Sequence, residues 1–180
     1  MSAEGPTIYD SVTLREGDTV TIRAIRPDDA PRLQALFALL SPESVFFRFL
    51  TPAKELTNEQ ATSFANVDYQ MRMGLVATSA PRGEENIVAV ARYAEVQPGE
   101  PGVVEFAIVV QDRYQGRGLG TILLKRLVAY AQTHAIHTFL ARVHPENTRM
   151  LGLLQHSGFP IKLIERSYGD LTFEMKLHET

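Results

Sequence analysis

The chain contains no cysteine, which excludes a disulfide framework, a thiolate nucleophile and a cysteine-ligated zinc site. No apolar run approaches the ~20 residues needed to cross a bilayer. The opening residues, MSAEGPTIYD, lack the basic stretch and apolar core of a secretory signal. An excess of positive charge is missing as well. The formal charge of -3, from 18 basic and 21 acidic residues, argues against nucleic acid as the main partner, because phosphate-backbone binders present a net basic face. Internal repeats, low-complexity tracts and a linker long enough to divide the chain are also absent. What is present, 180 residues with 44% hydrophobic and 22% charged, fits one domain with a sizeable core in a reducing, cytoplasmic setting. Residues 1–16 read as a loose N-terminal arm and residues 17–180 as the domain.

Periodicity orders the elements. Alternation predicts a strand over residues 19–25, and Arg26-Pro27-Asp28-Asp29 opens a helix carrying Leu33, Leu36, Phe37 and Leu40 on one face. Ser41-Pro42-Glu43 opens a second helix, and Thr57-Asn58-Glu59-Gln60 a third through a capping box. Strand-like runs follow at residues 71–79, 86–96 and 103–110, with turns at Pro81-Arg82-Gly83 and Pro98-Gly99-Glu100-Pro101-Gly102. Leu119, Ile122, Leu123, Leu127 and Ala131 then form one face of a long helix. A strand at residues 137–143, a helix at 147–156 and a final hairpin at 161–166 and 171–176 complete the chain.

The segment QGRGLG (residues 115–120) sets three glycines at alternate positions between an apolar strand and an amphipathic helix. A dinucleotide-binding fingerprint would need glycine where Thr121 stands, and a Walker loop would need Gly-Lys-Ser/Thr, so both are excluded. What remains is a helix start whose free N–H groups and dipole attract an anion, with missing Cβ atoms that let a diphosphate approach the backbone. Arg117 and Arg113 are candidates for added charge. The plainer alternative is that the glycines only tighten a turn.

These residues resemble the GNAT superfamily of acyl-CoA-dependent N-acyltransferases, whose signature is Arg or Gln, two residues, Gly, one residue, Gly or Ala. Gln115, Gly118 and Gly120 match it. The likeness continues through Asn147-Thr148-Arg149-Met150-Leu151 and Gly158-Phe159. SPESVFFRFLTP (residues 41–52) and VDYQMRMGLVA (residues 67–77) are similar to the acetyltransferase domain of bacterial protein lysine acetyltransferases that control acetyl-CoA synthetase. Such enzymes often carry a cyclic-nucleotide-binding or synthetase-like domain, for which 180 residues leave no room. The resemblance implies an α+β fold, a single domain with a mixed twisted sheet of about seven strands and helices on both faces. It also implies a splay between the fourth strand (residues 103–110) and the fifth (residues 137–143). Acetyl-CoA would be the co-substrate, with no metal. The backbone of Ile108 and Val110 would pair with its pantetheine arm, and Gln115, Gly116, Arg117, Gly118, Leu119, Gly120 and Thr121 would cradle its diphosphate. Asn147 would help hold the arm or simply cap its helix. The implied acceptor is a protein lysine, for example on an acyl-CoA synthetase, attacked directly in a ternary complex. Small-molecule amines and a non-catalytic acyl-CoA-sensing module are the alternatives, and oligomerisation is left open.

Glu105 is the candidate catalytic residue. A lysine amine has a reference pKa of about 10.4, so only ~0.1% is neutral near pH 7.4 and recovering it unaided costs ~4 kcal/mol. A carboxylate beside the splay could take that proton, with burial raising its pKa toward the useful range. An ion pair with Arg92 or an idle surface position are the bland readings. Glu105 lies one residue nearer the glycine loop than the base of histone-type members. Strand alternation would then point it to the opposite face, and a bulge in this strand could restore its aim. His144 is kept as a second base, Arg149 as a solvated helix residue, and Lys125-Arg126 as solvation of the long helix. His134 and His137 are not expected to hold a metal, and Ser157 lacks partners for nucleophilic chemistry. Leu154 stands where many members place a tyrosine that protonates the departing thiolate, and is expected to line the cleft.

Overall fold

Alternating burial along Thr19–Ala24 marks the first long strand: Val20 and Ile22 are buried, while Thr19 is exposed. A computed structural model describes residues 5–96 and 99–178. In order, the strands are β1 (Tyr9–Thr13), β2 (Thr19–Ala24), β3 (Arg72–Ser79), β4 (Asn86–Glu95), β5 (Val103–Val110), β6 (Thr138–Val143), β7 (Ile161–Ser167) and β8 (Asp170–Lys176). The helices are α1 (Ala30–Ala38), α2 (Pro42–Phe49), α3 (Asn58–Ala65), α4 (Leu119–Gln132) and α5 (Thr148–Gln155). The helix starts carry the polar caps expected of them. Ser41 Oγ accepts from the Ser44 N–H, both halves of the Thr57–Gln60 capping box form, and Asn147 accepts from the Met150 N–H.

One sheet runs β1-β2-β3-β4-β5-β6-β8-β7. It holds eight strands rather than about seven. The additional one is β1, which lies in the stretch expected to be a loose arm and pairs with β2 from Tyr9↔Arg23 to Thr13↔Thr19. The splay therefore falls between the fifth and sixth strands. Every neighbouring pair is antiparallel except β5 and β6, which α4 joins as a crossover. The turn expected at residues 98–102 includes Pro98, outside the described residues, but β4 and β5 pair antiparallel on either side of it.

Two apolar clusters hold the layers together. On one face, Leu119, Leu123, Leu127 and Ala131 of α4 pack with Val104 and Phe106 of β5 and with Leu154 of α5. On the other, Leu33, Leu36 and Phe37 of α1, Val45 of α2 and Ala61 and Ala65 of α3 pack with Val76 and Val90. A fully buried leucine stabilises by about 1.5–3 kcal/mol, so the row on α4 is enough to fix that helix on the sheet. Val109 joins the second cluster. Strand alternation therefore turns Glu105 and Ala107 toward α1–α3, away from α4.

Candidate active site

The β5–β6 ladder stops early. Only Val103↔Thr138, Val104↔Phe139 and Glu105↔Leu140 pair, and from Phe106 onward β5 has no neighbour on that side. Beyond this point the sheet opens into a cleft of about 660 Å³. Its walls come from Ile108–Val110 of β5, the glycine loop, the start of α5, and Phe47 and Arg48 of α2.

The glycine loop forms the outer end of this cleft. Gly116 (φ 75°) and Gly118 (φ 88°) take the left-handed conformation that side chains resist. A Cβ at Gly116 meets nothing within 4 Å, and one at Gly118 or Gly120 meets only Arg15 Nε at 3.8 Å or Leu153 Cδ2 at 3.9 Å. The missing side chains leave free the cleft that these residues line. The N–H groups of Leu119, Gly120 and Thr121 open α4 without helical partners. This arrangement fits a diphosphate, and the open edge of β5 fits an extended arm, as in acetyl-CoA.

Gln115 locks the loop in place. Its side-chain amide donates to the Val110 carbonyl at 2.9 Å and to Ser44 Oγ at 3.1 Å, and its oxygen accepts from Arg149 Nη1 at 2.5 Å. Asp112 ties α2 to the same corner, accepting from the Ser41 N–H at 3.0 Å, Ser41 Oγ at 2.6 Å and Ser44 Oγ at 2.9 Å. Burial pushes the Asp112 carboxyl up, but these donors outweigh it and hold the group below its ordinary range.

Several side chains sit away from where the sequence put them. Arg117 does not line the cleft; it turns back to Glu16, at 2.9 Å, and to Asp18. Arg113 lies over the Tyr114 ring at 4.9 Å. Arg15 and Arg149 stand on the cleft wall instead. Arg149 was expected to be merely solvated. Asn147 both caps α5 and lines the cleft, so its two readings hold together. Leu154 is 1% exposed in the core and Leu153 takes the cleft-lining position expected of it. Arg126 pairs with Asp10. Among the described residues no group of His, Asp or Glu could hold a metal ion. His134 stacks on Tyr130 with centroids 4.2 Å apart, and Ser157 Oγ accepts from the Phe159 N–H.

Glu105 stands at the last rung before β5 and β6 part. The β4–β5 register is continuous from Glu95↔Val104 to Ala89↔Val110, so no bulge re-aims Glu105. Glu105 is exposed rather than buried and makes no ion pair with Arg92 among the described residues. On the same face α2 presents Phe46 and Phe47, with His144 packed on both rings at 5.3 and 5.7 Å. Arg48 belongs to the cleft wall and also feels the charge of Glu105. The cleft and the Glu105 side of the sheet therefore meet at α2.

Comparison with known proteins agrees with this geometry. A family model described as an acetyltransferase (GNAT) domain matches residues 19–160. The crystal structure of the GNAT domain of S. lividans PAT superposes with a TM-score of 0.86 at 32% identity, covering 96% of this chain and 99% of that one. An acetyltransferase of Pseudomonas aeruginosa is 32% identical over 147 residues, which is 82% of this chain and 78% of that protein. The acetyltransferase Pat of Mycolicibacterium smegmatis is 30% identical over 148 residues, and the match spans 82% of this chain but 43% of Pat. The chain belongs to the GNAT acetyltransferases and is an acetyl-CoA-dependent N-acetyltransferase.

Proposed function

We propose that the protein transfers the acetyl group of acetyl-CoA to a lysine side chain of another protein in the cytoplasm, an acyl-CoA synthetase being the first candidate. The observation that carries this reading is the position of Glu105, at the rung where the β5–β6 ladder ends and opposite α2. A lysine amine entering from the α1–α3 side loses its proton to Glu105, directly or through water, and attacks the thioester carbonyl held between β5 and β6. The carbon–sulfur bond breaks, coenzyme A leaves as the thiolate, and the surplus proton left on the nitrogen passes to that thiolate, with no covalent enzyme intermediate. Ile108 and Val110 would pair with the arm, and residues 115–121 with Asn147 would hold the rest.

The two stretches that resemble protein lysine acetyltransferases support a macromolecular acceptor. Residues 41–52 build α2, with Phe46, Phe47 and Arg48, and residues 67–77 supply Gly74 to the cavity that Arg48 also lines. Both therefore shape the acceptor side of the sheet. The test is mass spectrometry of cell lysate incubated with the protein and labelled acetyl-CoA, using Glu105→Gln as the control. New acetyl-lysine on an acyl-CoA synthetase, absent with the control, is the expected result. Faster acetylation of spermidine or aminoglycosides than of any protein would overturn the reading in favour of a small amine.

A further inference from the structure

Arg92 is a guanidinium in an apolar place. It lies mid-strand in β4, and its Nη1 is buried without a hydrogen-bond partner among the described residues. Its face is kept clear by small neighbours: Gly74 lies opposite on β3 and Ala107 opposite on β5. A Cβ at Gly74 would come within 2.8 Å of Ile25 Cγ2, so that position has room only for hydrogen. Between Arg92 and α1–α3 is a cavity of about 40 Å³, otherwise walled by Leu33, Leu36, Phe37 and other apolar side chains. Arg48 reaches the same cavity from α2. The two cations share one aromatic platform, Arg92 lying 4.3 Å and Arg48 6.0 Å from the Phe64 ring centroid.

Among the described residues no carboxylate pairs with Arg92 or Arg48. Burial, with the charges of Arg48 and Arg72, pushes the Arg92 guanidinium down to about 9, and burial pushes Arg48 down to about 10, so both stay charged near neutral pH. Cation–π contact offsets part of the desolvation. Water could satisfy the Nη1 hydrogens but would not neutralise two like charges. Glu105 stands diagonal to Arg92 across the β4–β5 pairing, yet it makes no ion pair among the described residues. Diagonal positions lie about 7–8 Å apart, close to the ~7 Å between alternate side chains of an extended peptide.

We propose that Arg92 and Arg48 receive a carboxylate carried by the acceptor near its reacting amine, so that the lysine delivered to Glu105 is one with an acidic group close by. The inference rests on the protein-lysine reading and adds a rule for which lysines qualify. The carboxylate comes from an Asp or Glu side chain in the target or from a free main-chain carboxylate.

The experiment compares single-lysine peptides carrying Glu, or its neutral isostere Gln, two residues before or after the lysine. A second pair is Nα-acetyl-lysine and its carboxamide. The native protein is expected to favour the acidic partner in the matching pair by roughly tenfold or more in kcat/KM, as expected for a charge-assisted hydrogen bond. Arg92→Gln should reduce that ratio to about twofold or less, and Arg92→Lys should restore part of it. Which pair shows the preference identifies the source of the carboxylate. In parallel, glutarate should raise the melting temperature of the native protein but not of Arg92→Gln, and uncharged glutaramide should affect neither. Equal rates within both pairs, or a preference that survives Arg92→Gln, overturns the proposal. So does a preference for succinyl-CoA over acetyl-CoA that Arg92→Gln abolishes, since the site would then serve the donor. If no peptide is acetylated, the lysine reading fails, and the glutarate arm alone decides whether the anion site exists.

Discussion

The carbonyl of Val110, the last residue of β5, receives the side-chain amide of Gln115 at 2.9 Å. One side chain thereby joins the open edge of the splayed strand to the loop at the start of α4. Through Ser44 it also reaches the Asp112 network that anchors α2. The parts of the cleft that would hold the arm, the diphosphate and the acceptor are thus connected by short polar links.

Binding of acetyl-CoA should depend on the absent side chain at Gly118. Gly118→Glu is expected to abolish binding measured by calorimetry, because it brings bulk and negative charge to the open side of the loop. The φ of 88° would strain any replacement, so Gly118→Asn, which tolerates that conformation best, is the control. It should lose some affinity through the side chain it adds, but less than Gly118→Glu, because a left-handed backbone costs asparagine little and the amide is neutral. Equal affinity of Gly118→Glu and the native protein would rule out the loop as an anion cradle.

For Glu105→Gln, acetyl-CoA affinity should hold while turnover falls by ~100-fold or more at neutral pH, the usual worth of a general base. The loss should shrink as pH rises toward the amine's reference value of about 10.4 and free amine becomes available. Steady-state rates from pH 7 to 10 measure it. A variant as active as the native protein would move the base elsewhere, with His144, packed on Phe46 and Phe47, next in line.

Part of this site could be read from the chain alone, and particular contacts explain the rest. The glycines, the caps at Ser41, Thr57 and Asn147, and the strand carrying Glu105 are local signals, fixed by neighbours within a few residues. Arg15 reaches the cleft because β1 and β2 form a hairpin that brings the arm beside residues about a hundred positions away, which no local pattern encodes. Arg117 turns from the cleft for the same reason, since Glu16 and Asp18 arrive with that hairpin and pair with it. On α5 the error was one of phase: helical spacing gives a face, and docking alone decides whether Leu153 or Leu154 meets the cleft. Arg92 was visible as a strand residue, but the space around it depends on Gly74 and Ala107 in two other strands.

A buried ion pair should make the fold sensitive to acid. Arg23 grips Asp29 with two hydrogen bonds, at 2.7 and 2.8 Å, with Asp29 0% exposed and Arg23 5% exposed. Burial pushes the Asp29 carboxyl up, but the bonds from Arg23 and the Arg26 N–H outweigh it, and the net shift is downward. A depressed carboxylate contributes stability that is fully present above its unfolded pKa of about 3.9 and is lost as pH falls further. Asp29→Asn should cost about 3–5 kcal/mol near neutral pH, toward the lower end because Glu85 still pairs with Arg23 at 2.7 Å. Urea unfolding at pH 7 and at pH 3 should show the gap between variant and native protein narrowing in acid. A gap that widens there would contradict the sign of the shift.

Leu154 tests which proton transfer limits the reaction. The resemblance read from the sequence sets a thiolate-protonating tyrosine at this position, but here Leu154 is 1% exposed, in the larger core cluster with Leu123, Leu127 and Met175. A thiol's reference pKa of about 8.5 lies well below that of an amine, so coenzyme A leaves as a tolerably stable thiolate and needs less help than the amine does. In the first turn of α5 the Thr148 and Met150 N–H groups donate to Glu146 O and Asn147 Oδ1, which leaves the Arg149 N–H to stabilise the sulfur. Leu154→Ala should therefore lower stability by about 2–5 kcal/mol through the cavity it leaves. Turnover per folded molecule should change by less than about threefold, because general-acid help is worth much only for a poor leaving group. Leu154→Tyr overfills the core and buries a hydroxyl, costing about 1–3 kcal/mol, and raises turnover by less than about tenfold. Melting temperatures with steady-state rates at saturating lysine substrate separate the two effects. A gain of ~100-fold from the tyrosine would mean that protonation of the thiolate, not deprotonation of the amine at Glu105, sets the rate.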